Sequence, residues 1–564
     1  MARGLRRKLT TYGDEQFSLF LRKAFIKAMG FSDDALDRPI VGIANTYSDY
    51  NPCHGNVPQL IEATKRGVML AGALPMVFPT ISIHESFASP TSMYLRNLMA
   101  METEEMIRAQ PMDAVILIGG CDKTIPAQIM AAASSDVPAI VLPTGPMSTG
   151  SHRGERLGAC TDCRRLWGQF RAGELDETEI GAINNRLVAS VGTCTVMGTA
   201  STMACLSEAM GLCLPMAGSA PATSAERTRL AEETGRAAAE LAANGGPTVR
   251  DLLTPAVMRN ALATLQALGG STNAVVHMAA IAGRLGTKLD LQELDAIGRE
   301  IPVLVDLKPS GSAYMAEFHD AGGVPRLLGE IADALDTSAK TVTGSTIRQM
   351  IDGAMTTPSD AIIRRRDRPV KPTGAIAVLR GNLAPRGAVI KHSAASAALY
   401  RHEGRAVVFD TLAEMAERID ADDLDVTADD VLVLRNGGPR GAPGMPEAGY
   451  IPIPRKLAKQ GVRDMVRISD ARMSGTAFGT IVLHVTPEAA DGGPLAIVRS
   501  GDRIRLDVEA RTLDVLLDAD EYARRMAALP ERKPAPPRGY ARLYDTHVQQ
   551  ADDGADFDFL WGTE

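Results

Sequence analysis

The 564-residue sequence contains no run of about 18 uncharged apolar residues, the length a helix needs to cross a bilayer, so a helical membrane protein is not expected. Its basic opening, Arg3-Gly4-Leu5-Arg6-Arg7-Lys8, is not followed by the apolar core of a signal peptide. There is no excess of positive charge: the net charge of -8 offers no electrostatic reason to bind nucleic acid. Cysteine is scarce and odd in number, seven in all, which argues against a disulfide framework and for reduced thiols. Internal repeats and low-complexity tracts are lacking too. These absences point to a cytoplasmic globular protein, and the length provides for two or three domains with substantial cores.

Chemistry is concentrated in Gly119-Gly120-Cys121-Asp122-Lys123-Thr124. The preceding Ala114-Val115-Ile116-Leu117-Ile118 reads as a buried strand, and two glycines then allow a sharp turn and a close approach. A thiolate suits iron, zinc or copper, whereas a carboxylate suits magnesium, calcium or manganese, so two metals could meet at this loop. Alone, the tripeptide reads equally well as a buried Cys followed by an Asp that caps the next helix.

The first third alternates. Strands are expected at 39–44, 77–83, 114–118 and 138–142, with helices at 57–71, 91–109 and after Thr124. Such β-α-β alternation implies a parallel sheet covered by helices. Ligands of parallel sheets bind beyond the carboxyl ends of the strands. Cys53, in Asn51-Pro52-Cys53-His54, lies in the loop after the first strand. Glu85, in Ile83-His84-Glu85-Ser86, ends the second, and Cys121, Asp122 and Lys123 follow the third. Their shared placement favours a metal site over separate structural roles.

Cys194, in Gly192-Thr193-Cys194-Thr195-Val196-Met197-Gly198, is expected near a helix N-terminus, where the dipole favours a thiolate. Cys160-Thr161-Asp162-Cys163 has the two-residue spacing of zinc and redox sites, yet no second pair completes a zinc site. Cys205 and Cys213 belong to an apolar core. Gly269-Gly270-Ser271-Thr272-Asn273 interrupts a helical pattern, and its Ser271, Thr272 and Asn273 either bond an anionic substrate or form a tight turn. A junction is expected from Pro358 to Pro372, dividing an α/β domain at 1–365 from a strand-rich second domain at 373–564, read as a barrel or sandwich. The second domain carries two notable loops, Asn436 to Glu447 and Ser469 to Thr476. So much Gly and Pro around Glu447 suits either a rigid backbone that presents it or an ordinary surface loop.

Taken in order, Asn-Pro-Cys, Gly-Cys-Asp-Lys-Thr, Gly-Thr-Cys-Thr-Val-Met-Gly-Thr-Ala, Gly-Gly-Pro-Arg-Gly-Ala-Pro-Gly-Met-Pro-Glu and Ser-Asp-Ala-Arg-Met-Ser-Gly-Thr resemble the dihydroxy-acid and sugar-acid dehydratases of the IlvD/Edd family. The resemblance implies an α/β N-terminal domain, a β-barrel-like C-terminal domain, and a homodimer or homotetramer. It implies an iron-sulfur cluster on Cys53, Cys121 and Cys194 but not on the other four cysteines. The sugar-acid branch points to 2Fe-2S, other members to 4Fe-4S. It further implies Mg2+ on Glu85, Asp122, a carbamate on Lys123, and Glu447. Lys123 in a plain ion pair remains the alternative.

Ser474 matches the family's base, acidified by the metal, and Thr476 a neighbour that orients it. The substrate implied is a polyhydroxy acid, which loses water to become a 2-keto-3-deoxy acid. Ile-His-Glu-Ser, Thr91-Ser92-Met93 and the C-terminal stretch from Arg538 look like the aldonate branch. The stretch 317–323 departs from that branch, and its His319 either meets substrate hydroxyls or is structural. Competing readings are a branched-chain dihydroxy-acid dehydratase, an electron-transfer iron-sulfur protein and a zinc-binding scaffold.

Overall fold

The computed structural model describes residues 3–9, 12–354 and 360–562. Pro358, where the junction is expected to begin, lies outside them. Four apolar runs form parallel strands β1 (Ile40–Asn45), β2 (Leu74–Pro79), β3 (Ala114–Gly119) and β4 (Ala139–Pro143), in the spatial order β2-β1-β3-β4. Every residue of β3 and β4 is buried, and for that reason they read as unbroken hydrophobic runs. Crossover helices Val57–Leu70, Arg96–Ala109 and Thr124–Ala133 connect successive strands. A small hairpin, β5 (Gly150–His152) and β6 (Glu155–Leu157), follows.

The second strand differs from expectation. It pairs with β1 from Ile40↔Leu74 to Asn45↔Pro79, and beyond Asn45 no partner backbone continues the ladder. Ile81 and Ile83, which alternate as if still in a strand, pack against the core from a loop. Glu85 therefore opens a single 3-10 turn, Glu85–Phe87, instead of ending a strand.

The C-terminal strands are β7 (Ala377–Leu379), β8 (Gly387–Ile390), β9 (Arg401–Phe409), β10 (Val431–Leu434), β11 (Arg467–Ser469), β12 (Ile481–Thr486), β13 (Arg503–Asp507) and β14 (Thr512–Val515). They form one eight-stranded sheet in the order β14-β13-β9-β10-β11-β12-β8-β7. A bridge between Arg380, just past β7, and Thr512 of β14 brings its edges together, with Leu513 N donating to Arg380 O at 2.9 Å. The result is a nearly closed barrel, filled by Leu379, Ile390, Val433, Ile468, Val482 and Ile504, all fully buried. β9, β10, β11 and β12 run parallel to their neighbours in that series, so this barrel has a carboxyl edge of its own.

Polar ties fix the two domains together. The buried Gln266 amide clamps the strand entering the barrel, donating to Ile376 O at 3.1 Å and accepting from Ile376 N at 2.9 Å. The C-terminal tail returns to the α/β domain, where the Arg284 guanidinium meets Asp556 at 2.6 Å and Arg96 donates to Gly554 O at 2.8 Å.

The second glycine of the pair, Gly120, just past β3, has a steric origin. A Cβ on Gly120 would stand 1.8 Å from Thr144 Oγ1 and 2.8 Å from Cys53 O, so the loops after β1, β3 and β4 meet without room for a side chain. Gly120→Ala should destabilise the protein by about 2 kcal/mol, the usual cost of overpacking, as read by denaturant unfolding.

Candidate active site

Each functional side chain sits on a loop, and the loops leave strands at two carboxyl edges. Cys53 follows β1 in the turn Pro52–His54, Glu85 follows β2, and Cys121, Asp122 and Lys123 follow β3. Glu447 and Ser474 follow the adjacent parallel strands β10 and β11 of the barrel.

Three carboxylates converge. Oxygens of Glu85, Asp122 and Glu447 lie within 4.8 Å of one another. Two buried cations face them: Lys123 Nζ touches Asp122 and lies 3.6 Å from Glu85, while Arg472 bonds Glu447 at 2.6 Å and Glu85 at 3.0 Å. Thr91 Oγ1 donates to Glu85 at 2.6 Å, Ser92 Oγ donates to its other oxygen, and Arg472 also donates to Thr91 Oγ1 at 2.8 Å. Burial opposes charge on Glu85, but Arg472, Lys123 and these hydroxyls outweigh it and hold its carboxyl well below the usual range. Glu447 shifts the other way, pushed up by burial against the pull of Arg472. Such a set of oxygen donors suits a hard divalent cation. Lys123 fits as a further anionic ligand only as its carbamate, since an ammonium would repel the ion.

Glu447 is not on an open surface loop. Its side chain is 17% exposed, and buried acids brace the glycine-rich segment before it. Glu488 accepts from Arg440 N at 3.1 Å and Gly441 N at 2.9 Å, and Asp470 accepts from Gly437 N at 2.8 Å.

The sulfurs form two neighbouring groups. Cys53, Cys121 and His84 bring ligand atoms within 4.8 Å of one another, a set suited to a soft metal. The Cys53 thiol is pushed up by Cys121 and by burial, so loading a metal there must displace protons. His54 underlies both loops: its Nδ1 donates to Thr46 O at 2.8 Å, and its Nε2 accepts from Gly120 N at 3.0 Å and Cys121 N at 3.1 Å. Accepting two amides requires a neutral ring, and burial pushes its pKa down to about 4.

Cys194 stands outside that group, with its Sγ 3.2 Å from Cys160 Sγ. Its helix starts only at Thr199, because Thr193 N bonds Gly145 O at 2.9 Å and keeps the segment running alongside the loop after β4. Cys194 nonetheless lies against the first turn of that helix, as expected: its carbonyl accepts from Ser201 Oγ at 3.2 Å, and a Cβ on the N-cap Gly198 would stand 3.8 Å from the Cys194 Cβ. Gly192 N donates to Pro52 O at 3.0 Å, so the Cys194 and Cys53 loops still adjoin. Cys205 and Cys213 are core residues, at 0% and 2% exposure.

Ser474 is half-buried and Thr476 fully buried, with their hydroxyls 2.8 Å apart. Thr476 O accepts from Thr161 Oγ1 at 2.9 Å, which seats this turn beside Cys160. The turn also rests on Ser271, whose Oγ would lie 2.4 Å from a Cβ on Gly475. Ser271, Thr272 and Asn273 are enclosed, and Ser271 Oγ and Asn273 Nδ2 both bond Thr199 Oγ1, at 2.9 and 3.1 Å. Of the three, Ser271 packs against the Ser474 turn, while Thr272 Oγ1 and Asn273 Oδ1 are buried without a hydrogen-bond partner. His319 bonds Ser219 at 3.0 Å and Glu226 at 3.1 Å, neither of which belongs to the carboxylate or sulfur groups.

Sequence reasoning assigned no role to His84, His54, Arg472 or Lys391. The first three stand inside quoted motifs, beside residues that were singled out. Lys391, whose Nζ lies 3.4 Å from Gly475 O and whose pKa burial lowers to about 7, had no local signal.

The family model described as dihydroxy-acid/6-phosphogluconate dehydratase N-terminal matches residues 38–350, and its C-terminal counterpart matches 361–555. The chain belongs to the IlvD/Edd dehydratase family. Similar IlvD/Edd proteins include an L-arabonate dehydratase of Azospirillum brasilense, 47% identical over 98% of this chain and 96% of the relative. A 6-deoxy-6-sulfo-D-gluconate dehydratase of Pseudomonas putida is 45% identical over 94% and 92%, and a dihydroxy-acid dehydratase of Sulfolobus acidocaldarius 37% identical over 94% and 95%. Among the described residues no helix is long and apolar enough to cross a membrane.

Arg472→Gln should leave Glu85 and Glu447 buried with only Lys123 and the more distant Arg164, 4.0 Å from Glu447, opposite them and cost about 3 kcal/mol near neutral pH. Because Arg472 depresses the Glu85 pKa, the stability it provides is present above the ordinary glutamate value of 4.5 and is lost as pH falls through the folded value. The gap between parent and variant should therefore close on acidification, as read by urea unfolding at a series of pH values.

Proposed function

We propose that this dehydratase acts on a sugar acid, removing the C2 proton and the C3 hydroxyl of an aldonate to give a 2-keto-3-deoxy acid. The observation that carries the reading is the meeting of Glu85, Asp122 and Glu447 at the facing carboxyl edges of two sheets, with the half-buried Ser474 hydroxyl two residues from Arg472. An electron-transfer protein would have no use for this carboxylate and hydroxyl set.

Cys53, Cys121 and Cys194 would hold an iron-sulfur cluster, expected to be 2Fe-2S. Glu85, Asp122, Glu447 and carbamylated Lys123 would hold magnesium. Together these groups would supply Lewis acidity, at the departing hydroxyl and at the substrate carboxylate. Ser474, once its hydroxyl proton has been lost to solvent under the acidifying pull that magnesium would supply, takes the proton from C2 on its anionic Oγ and becomes a neutral hydroxyl. Thr476 Oγ1, enclosed and 2.8 Å away, orients that oxygen and donates to it while it is anionic, which favours the alkoxide before the transfer. The Gly475 carbonyl, held by Lys391, keeps the turn in place. The resulting enol tautomerises by taking a proton at C3.

Greater identity to the L-arabonate enzyme, 47%, than to the dihydroxy-acid dehydratase, 37%, supports the sugar-acid choice. A panel of pentonates, hexonates and 2,3-dihydroxyisovalerate, assayed for keto-acid formation, tests it. Turnover of an aldonate should exceed that of the branched-chain acid, because polar groups placed for extra hydroxyls would be unpaired around an isopropyl group. Preference for the branched-chain acid would reverse the assignment.

Ser474→Ala should lower kcat by roughly 100- to 10,000-fold with little change in substrate affinity. Exchange of the C2 hydrogen with deuterated solvent should fall in parallel. Exchange at the parent rate would show that another group is the base.

A further inference from the structure

The dehydration site leaves a Cys-x-x-Cys pair unused, and that pair lies against one of the site's expected sulfurs. Cys160 Sγ is 3.2 Å from Cys194 Sγ, and Cys163 Sγ donates to Cys160 O at 2.8 Å. Cys160 is the N-cap of the helix Thr161–Ala172, so both thiols of the pair lie at its first turn.

Cys160 is also held under strain. Its φ of +81° with ψ of -50° is rare for a residue with a side chain, and such conformations cost about 1–3 kcal/mol. The surroundings enforce it: Asp162 accepts from Gly158 N at 2.7 Å, Lys308 Nζ at 3.0 Å and Tyr314 OH at 3.0 Å, and Thr161 is tied to Thr476 O at 2.9 Å. These ties bring the Cys160 sulfur to Cys194. Cys160, Cys163 and Cys194 are only partly buried, unlike Cys205 and Cys213, so a small oxidant can reach them.

We propose that Cys160 and Cys194 form a reversible disulfide in the cluster-free chain, and that Cys163 resolves it, returning Cys194 as a free thiol. The inference rests on the reading of Cys194 as a cluster ligand. With hydrogen peroxide as oxidant, one sulfur of the Cys160–Cys194 pair attacks a peroxide oxygen. An S–O bond forms, the O–O bond breaks, and the first water leaves. The second sulfur then displaces hydroxide from the sulfenic acid, an S–S bond forms, and a second water leaves, two electrons having passed from sulfur to peroxide. Cys163 next loses its proton and attacks Cys160 Sγ. The Cys160–Cys163 bond forms as the Cys160–Cys194 bond breaks, and Cys194 departs as a thiolate that takes up a proton, with no net oxidation. A dithiol reductant reopens the Cys160–Cys163 bridge with two electrons and two protons. Capture as a disulfide would keep Cys194 from irreversible oxidation to sulfinic acid while no cluster covers it.

The test uses the full chain stripped of iron by a chelator, exposed to stoichiometric hydrogen peroxide, alkylated and mapped by mass spectrometry without reduction. The parent should lose two alkylatable thiols and yield the Cys160–Cys163 bridge. Cys163→Ser should instead accumulate the Cys160–Cys194 bridge, and should take up iron and sulfide afterwards only if dithiothreitol is added. Cys160→Ser should yield neither bridge and, given a second equivalent of peroxide, should carry Cys194 to sulfinic acid. The inference is overturned if oxidised Cys163→Ser has no bond between Cys160 and Cys194, or if Cys160→Ser protects Cys194 as well as the parent does. Iron content of Cys194→Ser separates the parent reading: full retention would remove Cys194 from the cluster without altering the disulfide map.

Discussion

The Arg472 guanidinium binds a carboxylate from each domain. Glu85 arrives on the loop after β2 of the parallel sheet, and Glu447 on the loop after β10 of the barrel, and Arg472 lies between them at 1% exposure. Burying such a cation is expensive unless its donors are met, and here two carboxylates and the Thr91 hydroxyl meet its terminal nitrogens. The pair of ion contacts therefore fixes how the two sheets face one another. Ser474, two residues beyond Arg472 in the same turn, is placed by that contact.

Around this pivot the site is built from backbone held by buried side chains. His54 receives the amides of Gly120 and Cys121, and Glu488 those of Arg440 and Gly441. Neither group can touch a substrate from such an enclosed position, yet each determines where a ligand residue stands. The two glutamates of the site are electrostatically unequal. Glu85, doubly countered by Arg472 and Lys123, is a settled anion, whereas Glu447 is disfavoured as an anion by burial. A cation entering among the carboxylates would complete the charge on Glu447, which couples metal loading to proton release.

Much of this was legible in the residues. Alternating apolar runs and helices announced the parallel sheet, β3 and β4 nearly to the residue, and the placement of Cys53, Cys121, Asp122 and Lys123 after strands announced the edge where ligand-type side chains gather. Strand-rich periodicity after residue 373 announced a second β domain but left barrel and sandwich open. The deciding contact, Arg380 with Thr512, joins residues too far apart in the chain for any local pattern to reveal. The end of β2 was misplaced for a related reason: Ile81 and Ile83 alternate correctly, but a strand ends where its partner does.

Sequence by itself determined which residue types stand after which strands, because periodicity and punctuation are local properties of the chain. It also carried the motifs that identify an IlvD/Edd dehydratase. Only the tertiary structure decided which of those residues meet. It grouped His84 with Cys53 and Cys121, turned Cys194 toward Cys160, enclosed Ser271, Thr272 and Asn273 with Ser271 against the Ser474 turn, and committed His319 to Ser219 and Glu226. A side chain's partner depends on packing between segments hundreds of residues apart, as with Glu85 and Arg472, and spacing along one chain holds no record of that distance.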